Sequence, residues 1–155
     1  MKKITPFLWF DNQAEEAAKF YMSVFKNSKL LQVSRYGEAG PGPKGSVMVV
    51  AFEINGQEFL ALNGGPLFKF NESVSFVVPC ETQEEIDEYW EKLSAGGQKG
   101  QCGWLKDRYG LSWQVAPANI GEMLQGDRAR ADRIMKAVMQ MTKIDLAKLQ
   151  KEYTG

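Results

Sequence analysis

A shift of 69 positions lays residues 4–25, ITPFLWFDNQAEEAAKFYMSVF, over residues 73–94, SVSFVVPCETQEEIDEYWEKLS. Phe7 meets Phe76, Glu15 and Glu16 meet Glu84 and Glu85, Phe20 and Tyr21 meet Tyr89 and Trp90, and Val24 meets Leu93. Self-similarity at a fixed period means that one supersecondary unit has been used twice, and it constrains the fold more than any single motif. Both copies also read alike structurally. Each opens with a strand-like run, passes a helix-start signal and becomes an amphipathic helix. Asn12 with Glu15, and Thr82 with Glu85, carry the spacing of a capping box. Ala17, Tyr21 and Val24 in the first copy, and Ile86, Tyr89, Trp90 and Leu93 in the second, recur at the spacing of a core-facing helical stripe. The second helix should stop at Ala95-Gly96-Gly97, where glycine suits a helix C-terminus.

Strand candidates follow each helix. In the first half they are LLQVSRY (30–36), VMVVAFEI (47–54) and QEFLALN (57–63), with Asn55-Gly56 as a hairpin turn. In the second half they are the region 101–106 and LSWQVAP (111–117), with Tyr109-Gly110 between them. The glycine- and proline-rich stretch GEAGPGPKG (37–45) reads as a connecting loop, with a mobile lid as the alternative. The pattern predicts an α+β chain of paired βαβββ modules, about 4–63 and 73–117, followed by a helical tail over 118–155, all within a single domain 1–155. In that tail Asp127 is the expected N-cap of a helix with Ile134, Val138 and Met141 on one face, and a last helix covers 144–151. Met135, Met139 and Met141 are expected to pack on the domain or on a sister subunit.

Composition removes several classes of function. The chain has 155 residues, with 19 basic and 19 acidic side chains that cancel, so the electrostatic footprint of a nucleic-acid partner is missing. No apolar run reaches the roughly 18 residues that a membrane span needs, and the first residues turn acidic before a signal-peptide core could form. A membrane partner is not expected, and the cytoplasm is the expected location. Cys80 and Cys102 have neither the number nor the spacing of a disulfide framework or a zinc site. The chain contains no histidine at all. That excludes Ser-His-Asp, Cys-His and histidine-based metal mechanisms together.

LWFDNQAEEAAKFYMSVFKNSKL, VSRYGEAGPGPKGSVMVVAFEINGQEFLALNGGPLFKFNESVSFVV and QCGWLKDRYGLSWQVAP resemble the PhnB-like proteins of the vicinal oxygen chelate superfamily, often labelled 3-demethylubiquinone-9 3-methyltransferase domains. The resemblance is read as extending through MKAVMQMTKIDLAKLQKEY near the C-terminus. It implies the fold of glyoxalase I and the bleomycin-resistance proteins, with sheets curling around a cavity between modules and usually completed in a homodimer. In such relatives a divalent metal is held by inward-facing His and Glu residues, and the cation polarises substrate oxygens. Carried onto this chain, the ligand positions fall near Ile4 and Ser73 and at Leu60 and Gln114, and Val49 stands where many relatives have histidine. None of these is an imidazole or a carboxylate, so no cofactor is expected and a divalent metal is doubtful.

Strand alternation extends the list of candidate site residues. If Ile4, Leu60, Ser73 and Gln114 face the cavity, so do Leu8, Glu58, Ser75 and Ser112, while Phe7, Trp9, Phe76 and Trp113 turn to the helices. The expected ligand-binding set is Leu8, Leu60, Ser73, Ser75, Trp104, Gln114, Arg35 and Tyr36. Gln114 would orient a ligand and Trp104 would stack on it, with Arg35 and Tyr36 offering anion or carbonyl contacts. Glu58 is the weak candidate for a catalytic base, which would require burial to shift it. Lys106, Asp107 and Arg108 read as turn decoration. The best-supported function is binding of a small, partly apolar oxygenated molecule without the usual metal. The alternatives are an isomerase or lyase of the vicinal oxygen chelate type, a methyltransferase as the family label suggests, and an interaction protein with an emptied pocket. Methyl transfer gains nothing from the residues, because no strand leads through a glycine-rich turn into a helix.

Overall fold

The computed structural model of the protein describes residues 3–155. The chain forms two compact units, one ending at Phe70 and the other beginning at Asn71. In the first, strand β1 (Phe7–Phe10), helix α1 (Ala14–Val24) and strands β2 (Ser28–Arg35), β3 (Val47–Ile54) and β4 (Gln57–Asn63) build a sheet of order β1-β4-β3-β2. In the second, β5 (Ser75–Cys80), α2 (Gln83–Ser94), β6 (Gln98–Lys99), β7 (Trp104–Lys106) and β8 (Ser112–Pro117) repeat that order as β5-β8-β7-β6. In both sheets the first strand pairs in parallel with the last and the other pairings are antiparallel. The residues therefore fold as two βαβββ modules in an α+β architecture. Residues 101–103, expected within a strand, instead form a turn with Cys102 and Gly103 at positive φ, and the two-residue β6 precedes it.

Each helix covers one face of its own sheet. Ala14, Ala17, Ala18, Tyr21 and Val24 of α1 are buried, and the Tyr21, Phe52 and Phe59 rings stack in succession, with centroids 6.1 and 5.6 Å apart. Burying an aromatic side chain of this kind contributes about 1.5–3 kcal/mol. Ile86, Trp90 and Leu93 do the same for α2. The Thr82 hydroxyl accepts from the Glu85 backbone N–H at 3.2 Å, and the Glu85 carboxylate accepts from the Glu81 N–H at 2.7 Å, which forms the expected reciprocal cap. The first helix differs. Its N-cap is Gln13, without a side-chain bond, and the Ala14 N–H is taken at 2.8 Å by Asn63 Oδ1 from the end of β4. Asn12 with Glu15 is therefore not a capping box, because Asn63 supplies the acceptor across the fold.

The tail carries α3 (Ile120–Met123), α4 (Arg128–Met139) and α5 (Leu146–Thr154), with Asp127 and Asp145 capping the last two. Its Ile134, Met141, Ile144 and Leu149 are buried, whereas Met135 and Met139 are exposed. Gln83 on α2 clasps it twice, accepting from the Leu146 N–H at 2.9 Å and donating to the Ile144 carbonyl at 3.1 Å. Lys143 pairs with Asp87 at 2.6 Å, and that hydrogen bond, followed by one from Gln83, holds the Asp87 carboxyl below its usual range. The turn at 102–103 adds two backbone bonds, Cys102 N–H to Met141 O and Gly103 N–H to Thr142 O, both 2.8 Å. The Arg130 guanidinium lies over the Tyr153 ring at 4.5 Å and joins α4 to α5.

Candidate functional site

In each module one sheet face is covered by the helix and the other is left open. On β5 and β8 the aligned pairs Phe76 with Trp113 and Val78 with Val115 belong to the helix-covered side. Ser75 with Ser112 and Val77 with Gln114 belong to the open side. On β7 Trp104 aligns with Gln114 and Lys106 with Ser112, so both project from that same open face. The second module thus gathers Ser75, Trp104, Lys106, Ser112 and Gln114 on one surface. Gln114 Nε2 donates to Ser75 Oγ at 2.9 Å, and both residues, like Trp104, are half-buried.

The first module is arranged differently from the sequence-based expectation. Leu8 is 6% exposed and belongs to the core beside Phe10 and Ala61, while Phe7, its neighbour, is 54% exposed. Leu8 is therefore not on the open face, and Phe7 and Trp9 do not turn to the helix. The cause is a difference in connector length. Three residues join β1 to α1 and two join β5 to α2, so the 69-residue shift that superposes the helices puts the strands one residue out of phase. A slip of one residue exchanges the two faces of a strand. Leu8 corresponds in facing to Val78, and Val77 to a residue of the Phe7 kind.

Leu60 aligns with Phe7 and is half-buried on the open face with Leu62 and Val49, beside Gln32 and Ser34 of β2, which align with Ala51 and Val49. Glu58 is exposed opposite Glu53, beside the Asn55-Gly56 turn, so the burial that a carboxylate base would need is absent there. Ile4 is 94% exposed ahead of β1, and Ser73 precedes β5, with its hydroxyl donating to Asn71 Oδ1 at 2.6 Å. Arg35 is exposed and donates to the Gly45 carbonyl at 3.1 Å. Tyr36 is buried and its hydroxyl donates to the Asn63 carbonyl at 2.5 Å. The glycine- and proline-rich loop closes over that ring so tightly that a Cβ at Gly42 would overlap it. Tyr36 lines a cleft of about 430 Å³ with Asp11, Pro41, Pro43 and Asn63, and its hydroxyl serves the fold there.

Two further residues were missed or misread from sequence. Asp107 is not turn decoration: it is 2% exposed and accepts from the Tyr109 and Leu111 N–H groups at 2.9 and 3.1 Å and from Trp113 Nε1 at 2.9 Å. The carboxylate ties the β7–β8 turn to a core tryptophan. Lys106 lies on the open face and pairs with Glu72 from the segment before β5, and its hydrogen bond lowers the Glu72 carboxyl below the usual range. Burial pushes the Cys80 thiol up to about 11, with the Glu85 charge adding to the shift, so it is a protonated core group at neutral pH.

The donor chemistry does not suit a divalent metal. The positions expected to ligate are an exposed isoleucine, a leucine, a serine engaged by Asn71 and an amide engaged by Ser75. Among the described residues no three cysteine, aspartate or glutamate side chains converge.

Two βαβββ modules with open-faced mixed sheets are the glyoxalase/bleomycin-resistance-like fold of the vicinal oxygen chelate proteins. Residues 2–116 match the profile of the family described as 3-demethylubiquinone-9 3-methyltransferase. A PhnB protein structure from Bacillus cereus is 42% identical, covers 76% of this chain and 100% of its own, and superposes with a TM-score of 0.68. The chain belongs to this PhnB-like family. A protein from Pseudomonas aeruginosa (20% identity, 76% of this chain and 98% of that one, TM-score 0.62) shares the fold. So does the fosfomycin resistance protein FosX from Listeria monocytogenes, solved with Mn(II) and 1S,2S-dihydroxypropylphosphonic acid (16% identity, 80% and 98%, TM-score 0.54). No curated protein matches the chain. The family match ends at residue 116, so helices α3 to α5, which the resemblance was read to include, lie beyond it.

Proposed function

We propose that the open face of the second module binds a small, partly apolar oxygenated molecule without a divalent metal. The observation that carries this is the Gln114–Ser75 pair, a fixed amide and hydroxyl on a half-buried surface beside the Trp104 indole. Ser75 accepts the amide hydrogen, which leaves the Gln114 Oε1 acceptor and the Ser75 hydroxyl proton for a ligand. Fixed polar groups beside the Trp104 indole and the Val77 side chain supply the polar and apolar contacts that a small-molecule site combines.

Native mass spectrometry of protein purified without chelator should return the chain with an organic adduct and without stoichiometric zinc, nickel, iron or manganese. Gln114→Leu should weaken binding of that molecule about 2- to 10-fold, the loss of one neutral hydrogen bond, with the fold unchanged by circular dichroism. One metal ion per chain, or unchanged affinity in the variant, would sink the proposal.

We also propose that the protein is a homodimer. In their sheets β1 and β5 are edge strands, and each carries an exposed apolar side chain, Phe7 at 54% and Val77 at 56% exposure. Unpaired edges invite pairing with a second chain, and the two-fold dimer is the commonest symmetric assembly. Sedimentation equilibrium at micromolar concentration should give twice the 17.4 kDa of one chain, and a monomer would refute it.

A further inference from the structure

The open face of the second module contains a buried hydroxyl without a partner. Ser112 is fully buried, and its Oγ makes no hydrogen bond among the described residues. It lines a hollow of about 190 Å³ together with Trp104, Lys106, Glu72 and Gln98. Buried hydroxyls are nearly always satisfied, so an orphan in the wall of a hollow points to a missing partner, which must displace a neighbour to reach an oxygen with no accessible surface. Lys106 is its cross-strand neighbour in the β7–β8 register, which brings an ammonium group to the same hollow. That ammonium is already matched by a carboxylate, Glu72, which comes from outside any strand and has a side chain 60% exposed. Exposed ion pairs contribute little stability, so a competing carboxylate can replace this one at small cost. Trp104 stands two residues from Lys106 on the same strand face, roughly 6.6 Å along β7. An aromatic residue and a cation on one strand face, both lining the hollow, suit a molecule that carries a ring and a negative charge. The hollow is smaller than the roughly 300–1,000 Å³ of common ligand clefts, which limits the occupant to a single ring.

We propose that this hollow takes a small aromatic carboxylate, which displaces Glu72 from Lys106, accepts a hydrogen bond from Ser112 and lays its ring on Trp104. The proposal rests on the open-face reading above, because the hollow shares Trp104 with that site, while neither Gln114 nor Ser75 lines it. Glu72 then acts as an internal occupant that the ligand must replace.

Benzoate is the probe, with benzamide as its neutral counterpart and cyclohexanecarboxylate as its non-aromatic one, each titrated by calorimetry and by ¹⁵N chemical-shift mapping. Benzoate should bind with a Kd of about 1 mM or tighter and shift Ser112, Lys106 and the Trp104 indole, with both counterparts at least about tenfold weaker. Glu72→Gln lies outside the strands and should tighten benzoate binding about threefold or more by removing the competitor. Ser112→Ala should weaken it about 2- to 10-fold, and Lys106→Met by about threefold or more. Benzamide binding as well as benzoate, no benzoate binding at all, or a Glu72→Gln variant with unchanged or weaker affinity would overturn the proposal. Should benzoate fail while a different native adduct is lost in Gln114→Leu, the open-face site survives and the aromatic carboxylate falls. Should benzoate respond to Glu72 and Lys106 but not to Gln114→Leu, the carboxylate site stands on its own, since Gln114 does not line the hollow.

Discussion

Asp107→Ala should lower the unfolding free energy by roughly 2–5 kcal/mol, because it strips the acceptor from the buried Leu111 N–H and the buried Trp113 indole N–H. The carboxylate divides its two oxygens between the β7–β8 turn and the core. Oδ1 accepts from Tyr109 and Leu111 backbone N–H groups and Oδ2 accepts from the Trp113 indole. Asp107→Asn separates these roles. Its amide oxygen can still serve the turn, but its NH₂ then meets the Trp113 N–H donor to donor, so an intermediate loss of roughly 1–3 kcal/mol is expected. Urea unfolding followed by tryptophan fluorescence and circular dichroism measures both. Losses below 1 kcal/mol in both variants would show that the network is dispensable.

Gly103→Ala should cost roughly 2–4 kcal/mol, combining a positive-φ penalty with overpacking against groups that have nowhere to move. Gly103 has φ +80°, and a Cβ there would lie 2.5 Å from the Val115 carbonyl oxygen and 3.1 Å from Ile144 Cγ1. The same residue donates to Thr142 and accepts from the Val115 N–H, so the added methyl would push β8 and the tail apart at one point. Gly110→Ala is the control. Its φ is +86° but no atom lies within 4 Å of the new Cβ, so only the conformational penalty of about 1 kcal/mol is expected. Hydrogen exchange should accelerate over 142–149 in Gly103→Ala and not in Gly110→Ala. Equal stability losses in the two variants would show that packing at 103 contributes nothing.

Much of the architecture was legible in the chain itself. Helical periodicity, the Thr82–Glu85 cap and the Asn55-Gly56 turn are local signals, and each appears where its spacing placed it. The paired modules followed from the repeat, since like sequences bury like faces. The Ser75–Gln114 face was also accessible, because alternation along β5 and β8 is regular and both strands run without a bulge. Ser112 and Lys106 were visible as residues but not as neighbours, because an unsatisfied hydroxyl and an ion pair to the segment before β5 exist only once the register is fixed.

Other features needed the tertiary structure. The facing of Leu8 depended on one extra residue between β1 and α1, and a periodicity of two carries no information about which phase a packed helix will select. Asp107 looked like a surface turn residue because its nearest acceptor duties are local, while its burial is imposed by Trp113, six positions on. The cap on α1 came from Asn63, 49 residues away, and the tail found its place through Gln83 and the 102–103 turn. Local sequence determined the elements and their repetition, through propensity and hydrophobic period. Which face of each strand met a helix, and which polar groups closed on one another, was decided by packing, because only the assembled sheets bring those groups within hydrogen-bonding distance.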